Sequence, residues 1–292
     1  MAKLRKIAGI HRSGPFHWVG DGFRVSTYFP SGGELDTRVS PFLLMDYHAP
    51  YDFPPTPRAQ RGIGPHPHRG FETVTLGWEG YLAHHDNAGR AGVIGPGDVQ
   101  WMTAGSGVLH KEYHELEFAR RGGRMHGIQL WVNLPRLHKM DPPRYQMLTA
   151  AQIGQIELRD GAGLMRVIAG ESNGIKGPAL TFTPITLLDV RLNAGGRLPL
   201  SFPERHNTLL LVMSGRLTAN ERSVGALDLV SFTNAGEDVE LVAQENAHLL
   251  VLSGEPIDEP LAFYGPFVMN TAEEIMCAIS DFNLGKFGRL PD

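Results

Sequence analysis

Short apolar runs that alternate with polar residues, broken every few positions by glycine- or proline-bearing turns, recur along this chain. They restrict it to a fold of many short strands. Phe71-Glu72-Thr73-Val74-Thr75-Leu76-Gly77 is β-rich and alternating, Glu79-Gly80 reads as a turn, and Tyr81-Leu82-Ala83-His84 resumes a strand. Val93-Ile94 leads into the turn Gly95-Pro96-Gly97-Asp98. Val99-Gln100-Trp101-Met102 follows, Thr103-Ala104-Gly105-Ser106-Gly107 breaks it, and residues 127–134 are strand-like again. The 35 glycines and 21 prolines supply what so many turns need. This spacing predicts a β-barrel or sandwich rather than alternating βαβ units.

The second half repeats the plan. Residues 208–213 form a strand, Ser214-Gly215 is a turn like Glu79-Gly80, and Arg216-Leu217-Thr218-Ala219 follows. Residues 226–236 then parallel residues 96–105, which points to an internal duplication. With 292 residues, the chain suits two domains at roughly 100–200 residues each. The expected limits are 1–135 for the first barrel, 136–163 for a linker with Pro142-Pro143 and a short helix near Thr149-Ala150-Ala151-Gln152, and 164–292 for the second barrel and a terminal helix. That helix has Thr271 as N-cap and Glu273 and Glu274 in its first turn. Ile275, Met276 and Ile279 are its expected apolar stripe, and Cys277 is expected to pack.

Composition narrows the function. The chain is 42% hydrophobic and 20% charged, with net charge −4, so a core can form and nothing favours direct nucleic-acid binding, which needs phosphates neutralised by Lys and Arg. Arg120, Arg121 and Arg124 read as a solvated loop. A single cysteine excludes an intrachain disulfide and suits a reducing cytoplasm. Met1-Ala2-Lys3-Leu4-Arg5-Lys6-Ile7 lacks the apolar run of a secretory leader, and no stretch approaches the ~20 apolar residues of a membrane span.

Histidine is the unusual residue, with 13 in the chain. His66-Pro67-His68 places two imidazoles at i and i+2, hence on one side of a strand. Pro67, lacking an N–H, belongs at a sheet edge or strand start. His110-Lys111-Glu112 has the same spacing after a glycine-rich turn. On adjacent strands the two pairs converge as three imidazoles and a carboxylate, against the blander alternative of surface and core histidines. Such a set suits a divalent first-row metal such as Fe, Mn, Ni, Co or Cu and not Ca or Mg.

Gly62, His66, His68, Glu72 and Gly80 closely resemble the first motif of the cupin superfamily, and Gly97, Thr103, Gly105 and His110 loosely resemble the second. The finer resemblance is to the pirin family, carried by residues 65–73, 97–105, 126–135 and 264–270. It implies two tandem cupin barrels of jelly-roll type, all-β with a short C-terminal helix. It also implies one transition metal, iron first, in the N-terminal barrel only. In the repeat the ligand positions fall near Ser201, Pro203 and Glu240, and His206 and His248 are expected not to bind metal. The general cupin pattern would take Glu72 as the fourth ligand. The pirin pattern takes Glu112, with His66, His68 and His110, and Glu112 is preferred. Gln129, Arg69, Glu72 and His126 are candidates to orient the ligands. His84, His85, Asp86 and His114 are expected in loops, and Phe71, Trp101, Met102 and Trp131 in the core.

The resemblance implies a quercetin 2,3-dioxygenase-like enzyme that opens a flavonol ring with O2, with Glu112 as the base that takes the flavonol proton. The runner-up that it implies is a metal-containing transcriptional co-regulator or metabolic adapter acting through a protein partner. A cytoplasmic protein without membrane or nucleic-acid contacts fits either.

Overall fold

The alternation in the sequence becomes antiparallel strand pairing throughout. The computed structural model describes residues 3–56 and 61–290. Met1 and Ala2 of the stretch read for a leader lie outside these, as do 57–60 and 291–292 of the two expected barrels. The chain divides into two units, each a cupin-type barrel.

The unit that carries the histidine pairs comprises Pro15–Thr27, Phe42–Ala150 and Ile257–Asp292. Its seven-stranded sheet runs in the spatial order Arg144–Leu148, Val99–Thr103, Phe71–Glu79, Gly123–Asn133, Phe42–Phe53, Phe23–Phe29, His17–Val19. A four-stranded sheet runs Gly62–His68, Val108–His114, Leu82–Asp86, Ala91–Ile94. The other unit comprises Met1–Gly14, Tyr28–Pro41 and Ala151–Pro256. Its sheets have seven strands (Ile7–His11, Leu229–Phe232, Asn207–Ser214, Ala247–Gly254, Ile185–Leu192, Gly163–Ala169, Gly154–Leu158) and four (Arg197–Ser201, Asp238–Ala243, Arg216–Ala219, Arg222–Gly225). The seven-plus-four plan appears twice, as the internal repeat predicts. In this second unit the interior is filled by residues such as Val167, Leu188, Val190, Leu210, Val212, Leu249 and Val251, leaving an apolar core where the first unit has polar chemistry.

The limits 1–135, 136–163 and 164–292 do not match these units. The first strand, Ile7–His11, pairs with Leu229–Phe232, and the buried Arg5 guanidinium donates to the carbonyls of Phe202, Pro203 and His206. A strand must satisfy its backbone N–H and C=O groups, and this one does so in the C-terminal barrel. Conversely, the tail joins the N-terminal barrel. Val268 N–H donates to the Arg69 carbonyl, and Arg69 pairs with Asp281 at 2.9 Å.

Local expectations are corrected at three places. Residues 149–152 are a turn, not a helix, between Arg144–Leu148 and Gly154–Leu158; Asp98 accepts the Ala150 N–H at 2.8 Å and holds it. Arg120 and Arg121 end a short helix, Leu116–Arg121, capped by the Glu115 carboxylate, and Arg124 lies in the strand Gly123–Asn133. The terminal helix Ala272–Asn283 has the capping box of Thr271 and Glu274. Its buried residues are Ile275 and Ala278; Met276 and Cys277, about 100° and 200° round from Ile275, are exposed. Among the described residues no helix is long and apolar enough to cross a membrane.

Candidate metal centre

Gly62–His68 is an edge strand of the four-stranded sheet, which is why Pro67 is tolerated within it. Gly62 lets this strand close on its neighbour, because a Cβ there would sit 2.2 Å from the Glu112 carbonyl oxygen. The pairing places His66 directly opposite His110, then shifts so that Glu112 faces Ile63. This is a β-bulge, a device that re-aims side chains beside functional sites.

The result is a triangle of imidazoles. Ring centroids are 4.2 Å apart for His66 and His110, and 4.8 Å apart for both His66–His68 and His68–His110. One nitrogen from each ring lies within 4.8 Å of the other two, and this is the metal-competent cluster found among the described residues. His66 Nδ1 sits 2.9 Å from the Gly64 carbonyl. It must be the protonated nitrogen, since a carbonyl only accepts, and that leaves Nε2 with a lone pair. His68 Nδ1 and His110 Nε2 are buried without any partner. Burial, and then the neighbouring imidazoles, hold His68 and His110 well below the ordinary imidazole value; burial also lowers His66. The rings are therefore neutral at physiological pH and present unused lone pairs to one point. Orphaned buried acceptors of this kind fit a bound cation.

Glu112 lies beside the triangle but not within the 4.8 Å cluster. Its carboxylate is buried and accepts from Gln129 Nε2 at 3.2 and 3.3 Å. Burial pushes its pKa up to about 7, opposed by the Gln129 contact. Gln129 is itself held by Trp131, whose Nε1 donates to Gln129 Oε1 at 3.2 Å. These groups open on a cavity of about 210 Å³, lined also by Val19, Phe23, Val25, Asp46, His48 and Ile63. Trp131, expected in the core, is a wall of this cavity.

Glu72 points elsewhere. It is buried, accepts from Thr103 Oγ1 at 2.7 Å, and is pushed up to about 7 by burial. Its strand shows one face with Thr73 and Thr75, cross-strand from Trp131 and Gln129, and Glu72 lies on the other. Counting by twos from His68 would send Glu72 inward, but the alternation is broken at Gly70, whose φ of +86° separates Gly62–His68 from Phe71–Glu79. A side chain at Gly70 would meet the Val268 carbonyl at 1.9 Å, so the break is built in.

Of the four residues expected to orient ligands, Gln129 alone bonds an expected ligand, Glu112, among the described residues. Arg69 is taken by Ser106 and Asp281, Glu72 by Thr103, and His126 by the Tyr47 hydroxyl at 2.9 Å. The residue that sequence reasoning missed is His84. It lies on a strand, not a loop, with its Nδ1 3.1 Å from His110 Nδ1 and the Tyr145 ring stacked on it at 5.2 Å. Burial lowers its pKa to about 4. The signal was alternation: Leu82, His84 and Asp86 share one side of their strand. His85 and Asp86 lie on this strand too, and His114 on Val108–His114. In the repeat, Ser201 is exposed and Glu240 half-buried and paired with Arg197, and His248 Nε2 bonds Asp189 at 2.7 Å.

Comparison with known proteins agrees with this geometry. The family model Pirin matches residues 22–132, and the model Pirin C-terminal cupin domain matches residues 187–288. A Pseudomonas aeruginosa protein named "Putative quercetin 2,3-dioxygenase" is 49% identical over 98% of this chain and 99% of its own. The crystal structure of quercetin 2,3-dioxygenase from Acinetobacter baumannii is 47% identical, with TM-score 0.94, covering 99% of this chain and 100% of that one. A bacterial pirin from Escherichia coli, solved with nickel(II), shares the fold at 18% identity and TM-score 0.62, covering 85% of this chain and 99% of that one. A duplicated barrel with one imidazole triangle, matched by both family models, is the chain of a pirin: the protein belongs to the pirin family.

Proposed function

We propose that His66, His68, His110 and Glu112 hold one divalent first-row metal ion, iron first among the candidates, and that the cavity beside it is the site of a flavonol dioxygenase. The observation that carries this reading is the set of neutral imidazoles, two of which, His66 and His68, line a largely apolar cavity, with the buried nitrogens His68 Nδ1 and His110 Nε2 unpartnered. The likeness to proteins named quercetin 2,3-dioxygenase supports the substrate class.

The bound metal supplies Lewis acidity and a redox partner for O2 and the substrate. The chain's own residues do the rest. Val19, Phe23, Val25, Ile63 and Trp131 line the cavity and keep water from the reacting ring. Glu112, a buried carboxylate that lines the same cavity as His66 and His68, takes the proton of the flavonol hydroxyl when it loosens from the metal, since a base must lie within hydrogen-bond reach of the proton it removes. Gln129 steers both oxygens of that carboxylate. His84 fixes the tautomer of His110: for His110 to offer Nε2, its Nδ1 carries the proton and donates it to His84 Nδ1.

Protein purified without added metal should contain about one equivalent of transition metal per chain, the occupancy expected of a single set of three imidazoles and a carboxylate. Its iron form should consume O2 only when a flavonol is added. Oxygen-electrode traces across a flavonol panel, alongside elemental analysis, check this. A fully iron-loaded protein with no uptake would sink the dioxygenase reading and turn attention to protein partners.

A further inference from the structure

The cavity has a second polar wall that the chemistry above does not use. Asp46 and His48 are two residues apart on Phe42–Phe53 and so project to one side. Asp46 pairs with Gln129 across the sheet, and His48 with Gly127. Their side is therefore the interior side, the one that carries Gln129 and Trp131. Both line the cavity with His66, His68 and Glu112. The imidazole triangle comes from the four-stranded sheet and this wall from the seven-stranded sheet.

His48 is the exception among the buried histidines of this barrel. His114 is bonded to the Gly22 carbonyl at 2.8 Å, His126 to Tyr47 and His84 to His110; His68 and His110 belong to the triangle. His48 is 6% exposed, packs its ring against Phe23 at 5.5 Å, and has no hydrogen-bond partner on either nitrogen among the described residues. A buried imidazole nitrogen without a partner is costly; His48 Nδ1 is one, in a ring that lines the cavity. Its neighbour Asp46 has Oδ1 occupied by Thr27 at 2.5 Å, with no bond to Oδ2 among the described residues. A phenolic hydroxyl suits this pair, because it can accept from an imidazole N–H and donate to a carboxylate. The cavity volume of about 210 Å³ lies below the ~300–1,000 Å³ usual for drug-sized ligands, so only part of a multi-ring ligand is enclosed, and the groups that meet it there decide what enters.

We propose that His48 is a specificity-determining residue: with Asp46 it recognises a second hydroxyl on an aromatic ligand whose first oxygen is aimed at the imidazole triangle. The ligand class is a polyhydroxylated planar aromatic, and this rests on the reading of the cavity as a flavonol site.

The test uses the full metal-loaded chain and two probes: quercetin, and 3-hydroxyflavone, which keeps the hydroxyl beside the keto group but lacks the others. Dissociation constants come from quenching of tryptophan fluorescence, to which Trp131 in the cavity wall should contribute. The wild type should bind quercetin about tenfold more tightly, the scale of one net hydrogen bond to a buried group. In His48→Phe the two affinities should fall within about twofold of each other by the same reasoning, with metal content unchanged. His48→Gln should recover part of the preference, and His48→Leu gives the same comparison should the phenylalanine variant misfold. An unchanged preference in the apolar variants overturns the inference. Oxygen uptake in the same samples separates the two readings. Lost preference without uptake upholds His48 and sinks the dioxygenase, uptake with unchanged preference does the reverse, and no binding of either probe to the wild type sinks both.

Discussion

Protein in which His66 and His68 are both replaced by alanine will be purified with background metal only, while the wild type carries about one equivalent per chain. Two of the three convergent imidazoles are then gone, and one nitrogen and one carboxylate are too few to displace the hydration shell of a divalent ion. The fold should survive. Gly62–His68 is an edge strand, and the interior of the other barrel is packed with aliphatic residues without reference to these rings. Circular dichroism should therefore stay close to wild type while elemental analysis falls to the blank. His84→Ala is the graded control. It leaves all ligands in place but removes the partner of His110 Nδ1, and outer partners of this kind are worth roughly 10–100-fold in metal affinity. Full metal content in the double variant would refute the assignment.

Glu112→Gln will lower flavonol turnover by about 10²–10⁴-fold, the usual contribution of a positioned base, in protein that still holds metal. The substitution keeps size and shape but removes the negative charge and the basic oxygen. It also sets the new amide against that of Gln129, which in the wild type donates to the Glu112 carboxylate. Metal analysis of the same samples divides the two roles of the carboxylate. Retained metal with lost turnover assigns Glu112 to proton transfer, whereas loss of metal assigns it to the ligand set. Unchanged turnover would exclude both. The pattern of kinetic change is informative as well. A base acting in the transition state lowers kcat and kcat/KM together, whereas a group that only binds substrate raises KM.

The strands of the barrels, their turns and their duplication were legible because each rests on local physics. Alternation with period two, glycine at turns, and the capping box at Thr271 involve residues a few positions apart. The two i, i+2 pairs were legible for the same reason, as was the edge position of Pro67. Glu72 was not, because parity counts only within an unbroken strand, and the chain resets at Gly70. His84 was overlooked although its strand alternates, since no spacing in the sequence says that Leu82–Asp86 will lie beside Val108–His114.

The amino-acid sequence by itself determined that this chain would be a duplicated all-β protein, and that its N-terminal half would carry three imidazoles and a carboxylate in two short pairs. Tertiary structure alone decided the rest. It sent the first strand to the C-terminal barrel and the terminal helix to the N-terminal one, since backbone groups pair with whichever edge is open and not with whatever is near in sequence. It set His66 against His110 through a bulged register and turned Glu72 away from the cavity. It also brought Asp46 and His48, which belong to no motif, into the cavity that His66 and His68 line. Side-chain direction is inherited from the strand, but what a side chain meets is set by pairings between strands far apart in the chain.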